Sequence, residues 1–139
     1  TQIVNKLLPL QSVGLGYVSL VQSSNTLSGG HAHRIKFASF IGKGDQLDTT
    51  FFIFDEPTTA LHFHDVKKLL NTFNKLIRMG HSILVIEHNL DMISCADHVI
   101  DLGPEGGDKG GNIVAVGTPE DLIKSKESYT GKYLRKKIG

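Results

Sequence analysis

A run of four apolar residues, Phe51 to Phe54, ends abruptly in two carboxylates and a proline, Asp55-Glu56-Pro57. Because no polar residue interrupts the run, it predicts a central strand of a parallel sheet that is covered on both faces. Pro57 has no N–H to give to a strand ladder, so the strand should end there. Ligands of open parallel sheets bind at the carboxyl ends of the strands, and a functional site is therefore expected at this end.

The two neighbouring carboxylates have a chemistry of their own. Beside an apolar sheet they repel each other and are costly to remove from water, and a bound cation or a reacting water offsets that cost. This is the form of a Walker B strand, in which Asp55 would hold Mg²⁺ and Glu56 would orient and deprotonate the attacking water. A buried strand that merely ends in an acidic turn is the structural alternative.

A second segment, Leu27-Ser28-Gly29-Gly30, leads directly into a helical pattern that includes His31. Serine caps helices well, and the two glycines allow an anion to approach the backbone amides. The first turn of a helix also offers unpaired N–H groups and the positive end of the helix dipole, which suit a phosphate. The structural alternative is a serine-capped helix that follows a glycine turn.

A third segment, the apolar run Ile83 to Ile86, predicts a second buried strand, and Glu87 and His88 follow it. Parallel strands end at the same edge of a sheet, so His88 should lie beside the carboxylates. A single histidine is more often structural, but at this strand end it is a candidate for phosphate contact.

In the order signature loop, Walker B strand and histidine, the three segments resemble the ATPase domain of the ATP-binding cassette (ABC) superfamily. The resemblance implies an α/β P-loop NTPase fold, here its C-terminal portion, with a mainly parallel sheet flanked by helices and a C-terminal hairpin. It also implies catalytic roles for Glu56 and His88 and a Mg²⁺ site at Asp55. The residues that would contact ATP held by a partner module are Leu27, Ser28, Gly29, Gly30 and His31.

No segment of the 139 residues supplies a Walker A motif. Gly42-Lys43-Gly44-Asp45 has a lysine between glycines, but a phosphate loop needs serine or threonine after the lysine and then a helix. The chain is therefore interpreted as a fragment of an ABC module, a single domain over residues 1–139 that lacks the Walker A part. On its own it is expected to bind ATP weakly and not to hydrolyse it.

The remaining pattern predicts elements that complete the module. An apolar stripe predicts a helix over residues 62–79 with Gly80 as its C-cap, and residues 3–10 suggest a short helix closed by Pro9. Strands are expected at residues 98–103 and 112–116, near enough to form a hairpin. Thr118-Pro119-Glu120-Asp121 has the residue order that opens a helix.

Three further stretches make the resemblance more specific: 101–108, 117–120 and 128–134. Together with the motifs above, they look like the C-terminal ATPase module of the UvrA family. That family is the damage-sensing subunit of bacterial nucleotide excision repair. It implies a homodimer with two ABC modules per chain, a UvrB partner and binding of damaged double-stranded DNA. His31 and His33 stand where the family commonly has Glu and Gln, and Ala60 where it usually has Gly, which suggests a divergent paralogue.

Composition excludes some alternatives. The formal net charge is +1, so no global electrostatic field favours nucleic-acid binding. Cys95 is the only cysteine, which leaves no thiol-based zinc site in this chain. The family resemblance implies zinc elsewhere in the parent protein. No apolar run approaches a membrane span, and a cytoplasmic location is expected. A second functional class stays open: a non-catalytic regulatory or transport/resistance-type ABC module that supplies a signature face to a partner.

Overall fold

A computed structural model describes residues 2–19, 21, 29–41, 48–59 and 61–138, and for residues 29–33 it describes the backbone. Helices and strands alternate along much of the chain. In chain order they are α1 (Gln2–Ser12), α2 (Gly29–Ile41), β1 (Phe51–Asp55), α3 (Phe63–Arg78), β2 (Ser82–Ile86), α4 (Leu90–Ile93), β3 (Val99–Gly103), a 3₁₀ turn (Gly107–Lys109), β4 (Asn112–Gly117), α5 (Pro119–Lys124) and α6 (Tyr129–Ile138).

The chain divides into two compact units, Thr1–Glu87 and His88–Gly139. The first contains a parallel pair of strands flanked by helices, and the second contains an antiparallel hairpin followed by two helices. The predicted α/β class with a parallel sheet and a C-terminal hairpin is confirmed. The single-domain interpretation of residues 1–139 stays a prediction.

In the first unit, β1 and β2 pair in parallel, with Ile53 opposite Leu84 and Asp55 opposite Ile86. The predicted helix and second strand are present, as α3 and β2. The buried side of α3 consists of apolar residues at helical spacing plus one threonine: Val66, Leu69, Thr72, Phe73 and Leu76. Gly80 follows the helix with φ of +91°, a conformation that glycine adopts without a steric penalty.

An aromatic cluster joins α2, β1 and α3. The ring of Phe37 lies with its centroid 4.6 Å from that of Phe54 and 5.6 Å from that of Phe73, and the rings of Phe54 and Phe73 are 4.9 Å apart. Aromatic pairs at these separations and tilts add to the free energy gained by burial. The cluster fixes the helix that follows the signature segment against the strand that carries the carboxylates.

The face of the β1–β2 pair that points away from Phe52 is exposed. This differs from the expectation that β1 is covered on both faces. Phe51 and Ile53 are each 61% exposed, and Leu84 and Ile86 on the neighbouring strand are 43% and 54% exposed. Side chains alternate between the two faces of a strand, so these four residues share one side of the pair. The described residues cover the other face, where Phe52 is buried.

α1 is longer than predicted, because it continues past Pro9 to Ser12. Proline lacks an N–H and costs one helical hydrogen bond, but it does not prevent the following residues from bonding. Here the carbonyl of Pro9 accepts the N–H of Val13 at 3.3 Å, and both residues are buried. Burial of this end of the helix outweighs the local preference that predicted a stop.

In the second unit, Asp101 in β3 connects the hairpin to the start of α6. Its two carboxylate oxygens accept the hydroxyls of Ser128 at 2.6 Å and Thr130 at 2.7 Å. Ser128 is buried and also accepts the N–H of Gly131 at 2.7 Å, which satisfies one of the unpaired donors at the helix start. One carboxylate thus fixes the first turn of α6 to the sheet.

The predicted start of α5 is confirmed as a capping box. The Thr118 hydroxyl accepts the N–H of Asp121, and the Asp121 carboxylate accepts the N–H of Thr118 at 3.2 Å. The hydrogen bond from Lys124, followed by those from Thr118, lowers the pKa of the exposed Asp121 carboxyl. In the part of the chain that the structure describes, no helix is long and apolar enough to cross a membrane.

Candidate functional site

Asp55 and Glu56 lie exposed at the carboxyl end of β1, where the sequence predicted a site. Asp55 is the last residue of the strand, and the backbone N–H of Glu56 donates to the carbonyl of Ile86 at 2.9 Å. Glu56 has φ of +44°, a left-handed conformation that costs a non-glycine residue about 1–2 kcal/mol. Residues in such conformations often belong to functional sites, where the surrounding structure enforces them.

A turn after Glu56 sets the position of its side chain. The N–H of Thr59 donates to the carbonyl of Glu56 at 3.1 Å, and the Thr59 hydroxyl lies 3.4 Å from the Glu56 Oε2 atom. Pro57 and Thr58 are buried inside the turn. Glu56 is therefore held by its own backbone and by a residue three positions later.

Glu87 reaches this turn from the end of β2. Its Oε1 atom accepts the backbone N–H of Thr58 at 2.8 Å. No sequence pattern marks Glu87 as a functional residue, although it immediately precedes His88. The pairing of β1 with β2 makes the contact possible, because it places residues 55 and 86 side by side.

Arg34 in α2 reaches the same turn from the other direction. The residue is buried, with 2% exposure, and its Nη2 atom donates to the carbonyl of Thr59 at 3.1 Å. Burial lowers the pKa of the guanidinium, while interactions with Tyr17 and Asp65 act in the opposite direction. An arginine stays protonated despite such a shift, so Arg34 brings a positive charge to the turn.

A cleft of about 290 Å³ lies beside the carboxylates in the first unit. Its apolar wall includes Phe37, Phe40 and Phe54, and its polar groups include Arg34, Asp55 and Glu56. A concave apolar surface with a few charged groups at one end is the usual form of a small-ligand site.

The structure places some of the predicted site residues and not others. Leu27 and Ser28 lie outside the described residues, so the predicted serine cap stays a prediction. The backbone of Gly29, Gly30 and His31 forms the first turn of α2. His88 begins the second unit, directly after Glu87 in the chain, and its proximity to the carboxylates stays a prediction.

No group of three or more His, Cys, Asp or Glu side chains that could hold a metal ion occurs among the described residues. Mg²⁺ does not need such a cage, since it binds through one or two carboxylates together with waters and substrate phosphates. Asp55 and Glu56 supply exposed carboxylate oxygens of the required kind at the strand end. The residues present therefore fit a Mg²⁺ ion that arrives with a nucleotide.

The chain is similar to UvrABC system protein A of several bacteria. It is 57% identical to UvrABC system protein A of Clostridium perfringens over 135 residues and 55% identical to that of Aquifex aeolicus over 134 residues. These matches cover 97% and 96% of the chain and 14% of each curated relative, so the chain spans about a seventh of their length. No protein-family model matches the chain.

The chain is also similar to part of a solved structure. The crystal structure of UvrA2 from Deinococcus radiodurans superimposes with a TM-score of 0.88 and 40% sequence identity. The match covers 98% of the chain and 16% of the solved chain.

Proposed function

Because the chain belongs to the UvrA family, we propose that it forms part of the ATP-binding and hydrolysing module of a protein that recognises damaged DNA in nucleotide excision repair. The observation that carries the proposal is the exposed pair Asp55 and Glu56 at the carboxyl end of β1, in a chain 57% identical to a UvrABC system protein A. The match to these relatives favours this function over a transport or resistance module.

Each residue of the site has a proposed part in hydrolysis. Residues 27–31 contact the phosphates of ATP held by a partner module, through the N–H groups at the start of α2. Asp55 would hold Mg²⁺, which would neutralise charge on the phosphates. Glu56 accepts a proton from the water whose oxygen attacks the terminal phosphorus, and ADP leaves. His88 contacts the terminal phosphate and this water.

The proposed assembly extends beyond this chain. It comprises a second ABC module, a UvrA homodimer, UvrB and damaged double-stranded DNA, in the cytoplasm. The family resemblance implies zinc in the full-length protein, and we do not assign zinc to this chain, whose one cysteine is the exposed Cys95.

The isolated 139-residue chain is expected to bind Mg·ATP far more weakly than the full-length protein and not to hydrolyse it. Walker A amides and a lysine supply most phosphate contacts in such ATPases, and this sequence has no substitute for them. Calorimetric titration of both proteins with Mg·ATP tests this. Micromolar binding by the isolated chain would contradict it and require a nucleotide pocket of another kind.

Asp55→Asn should weaken the apparent affinity for Mg²⁺ in ATP hydrolysis by the full-length protein. The change removes one negative charge from the ion's surroundings but keeps the shape of the side chain, and we expect about 10–100-fold more Mg²⁺ for half-maximal activity. Activity measured against Mg²⁺ concentration at fixed ATP gives the shift. Asp97→Asn, at an exposed position of the second unit, is the matched control. An unchanged Mg²⁺ profile in the Asp55 variant would remove the metal role.

A further inference from the structure

The turn from Glu56 to Thr59 is held by two oppositely charged side chains from different elements. Glu87, after β2, accepts the N–H of Thr58 at 2.8 Å, and Arg34 of α2 donates to the carbonyl of Thr59 at 3.1 Å. The negative carboxylate accepts a backbone N–H, and the positive guanidinium donates to a backbone carbonyl. Hydrogen bonds to charged groups are stronger than those between neutral groups. The turn is therefore fixed on both sides.

Fixing the turn also fixes Glu56. Thr59 is bonded to the carbonyl of Glu56 through its N–H, and its hydroxyl lies 3.4 Å from the Glu56 carboxylate. Glu56 itself keeps a left-handed backbone, which persists only where neighbouring contacts enforce it. A shift of Thr58 away from β2 would therefore move the Glu56 side chain with it.

We propose that Glu87 is a positioning residue for ATP hydrolysis: by accepting the N–H of Thr58, its carboxylate holds the turn that aims Glu56 at the reacting water. The inference rests on the proposed role of Glu56 as general base. Glu87 itself does not contact the nucleotide in this proposal. Its contribution is the geometry of another carboxylate.

The chemistry of the contact separates this role from a direct one. To accept an N–H, the side chain needs an oxygen at the right distance but does not need a negative charge. A glutamine at position 87 can therefore replace the glutamate. A general base requires a carboxylate, which glutamine does not provide. Comparison of Glu87→Gln with Glu87→Ala therefore distinguishes a hydrogen-bond acceptor from a reacting group.

The experiment uses the full-length protein and measures kcat for ATP hydrolysis beside the Kd for Mg·ATP. Glu87→Ala should lower kcat by about 10–100-fold with an unchanged Kd, because displacement of a catalytic group by about 1 Å costs up to 10²-fold. Glu87→Gln should keep kcat within about threefold of the unmodified protein. Equal losses in both variants, or a normal kcat in Glu87→Ala, would overturn the proposal.

A double variant tests whether Glu87 acts through Glu56. If it does, adding Glu87→Ala to Glu56→Gln should not lower the residual rate further, since the positioned group has already been removed. A further 10-fold loss would give Glu87 an independent role and overturn the proposal. Glu127→Ala, at an exposed position in the second unit, is the matched control for loss of a glutamate.

The same set of variants separates failure of this inference from failure of the proposed function. Slow turnover in Glu56→Gln with normal turnover in Glu87→Ala would overturn the inference alone, whereas normal turnover in Glu56→Gln would overturn both. If Glu87→Ala does not fold, Glu87→Asp makes the same test, because it keeps the charge but withdraws the carboxylate by one methylene. A normal kcat in Glu87→Asp would then count against the proposal.

Discussion

Replacing Glu56 by glutamine in the full-length protein is expected to lower the rate of ATP hydrolysis by about 10²–10⁴-fold while Mg·ATP binding persists. Glutamine matches glutamate in size and can still accept the Thr59 hydroxyl, which lies 3.4 Å from the Glu56 carboxylate. It cannot take a proton from water. The loss should therefore fall on kcat and leave the nucleotide affinity largely unchanged.

Single-turnover hydrolysis measured beside a nucleotide-binding titration separates these two effects. The variant should remain in its ATP-bound state. If the proposed repair function is correct, release of damaged double-stranded DNA should also slow, which a competitor-chase assay measures. Glu105→Gln, an exposed glutamate in the second unit, serves as the control. Normal turnover in the Glu56 variant would overturn the mechanism and leave the carboxylate pair as the end of a structural strand.

A second large effect is expected at Gly131, where alanine should destabilise the packing of α5 against α6. Gly131 is buried, and a Cβ atom there would overlap the carbonyl of Leu122 and lie 3.1 Å from the Ser128 hydroxyl. Helix propensity alone would favour alanine over glycine by about 1 kcal/mol. Because the obstacle is a backbone atom that no rotamer change can move, the steric cost wins, and the local free energy of unfolding should fall by about 1–3 kcal/mol.

Hydrogen exchange of peptides from residues 119–138 reports this local stability in the full-length protein. A loss of 1–3 kcal/mol corresponds to exchange faster by about 5–150-fold. Gly106→Ala is a matched glycine control, because its φ is −98° and no atom lies within 4 Å of the added Cβ. Slower exchange in the Gly131 variant would mean that propensity outweighs packing and that the two helices can separate at little cost.

The sequence predicted the helices and strands that depend on residues close together in the chain. The stripe that includes Val66 and Phe73 has the period of a helix, and α3 occupies residues 63–78 as a result. Thr118 and Asp121 lie three residues apart, so the capping box could be predicted without knowledge of anything else in the fold. The apolar runs that became β1 and β2 were equally clear.

The features that position the site depend on residues far apart in the chain. The bond from Thr58 to Glu87 joins residues 29 positions apart, and that from Arg34 to Thr59 joins residues 25 apart. Neither has a periodic signature, because each depends on the register of β1 against β2 or the packing of α2. The left-handed backbone of Glu56 could not be predicted from the sequence either, since glycine or asparagine is the usual residue at such a φ.

The prediction for β1 failed on one face for a related reason. An apolar pattern reports which neighbours a side chain prefers, whereas its exposure depends on which elements pack against it. The pattern of β1 favours cover on both faces, but Phe51 and Ile53 are each 61% exposed. The apolar pattern indicates that these side chains prefer apolar neighbours, but it does not specify which element packs against them.

The uncovered side of β1 and β2 has a consequence for handling the chain as a separate reagent. Phe51, Ile53, Leu84 and Ile86 present contiguous apolar side chains to water. Patches of this kind promote aggregation at the concentrations used for crystallisation or NMR spectroscopy. With a formal net charge of only +1, electrostatic repulsion between molecules would do little to oppose it. Replacement of outward-facing Ile53 by threonine keeps a β-branched strand former and should widen the usable concentration range.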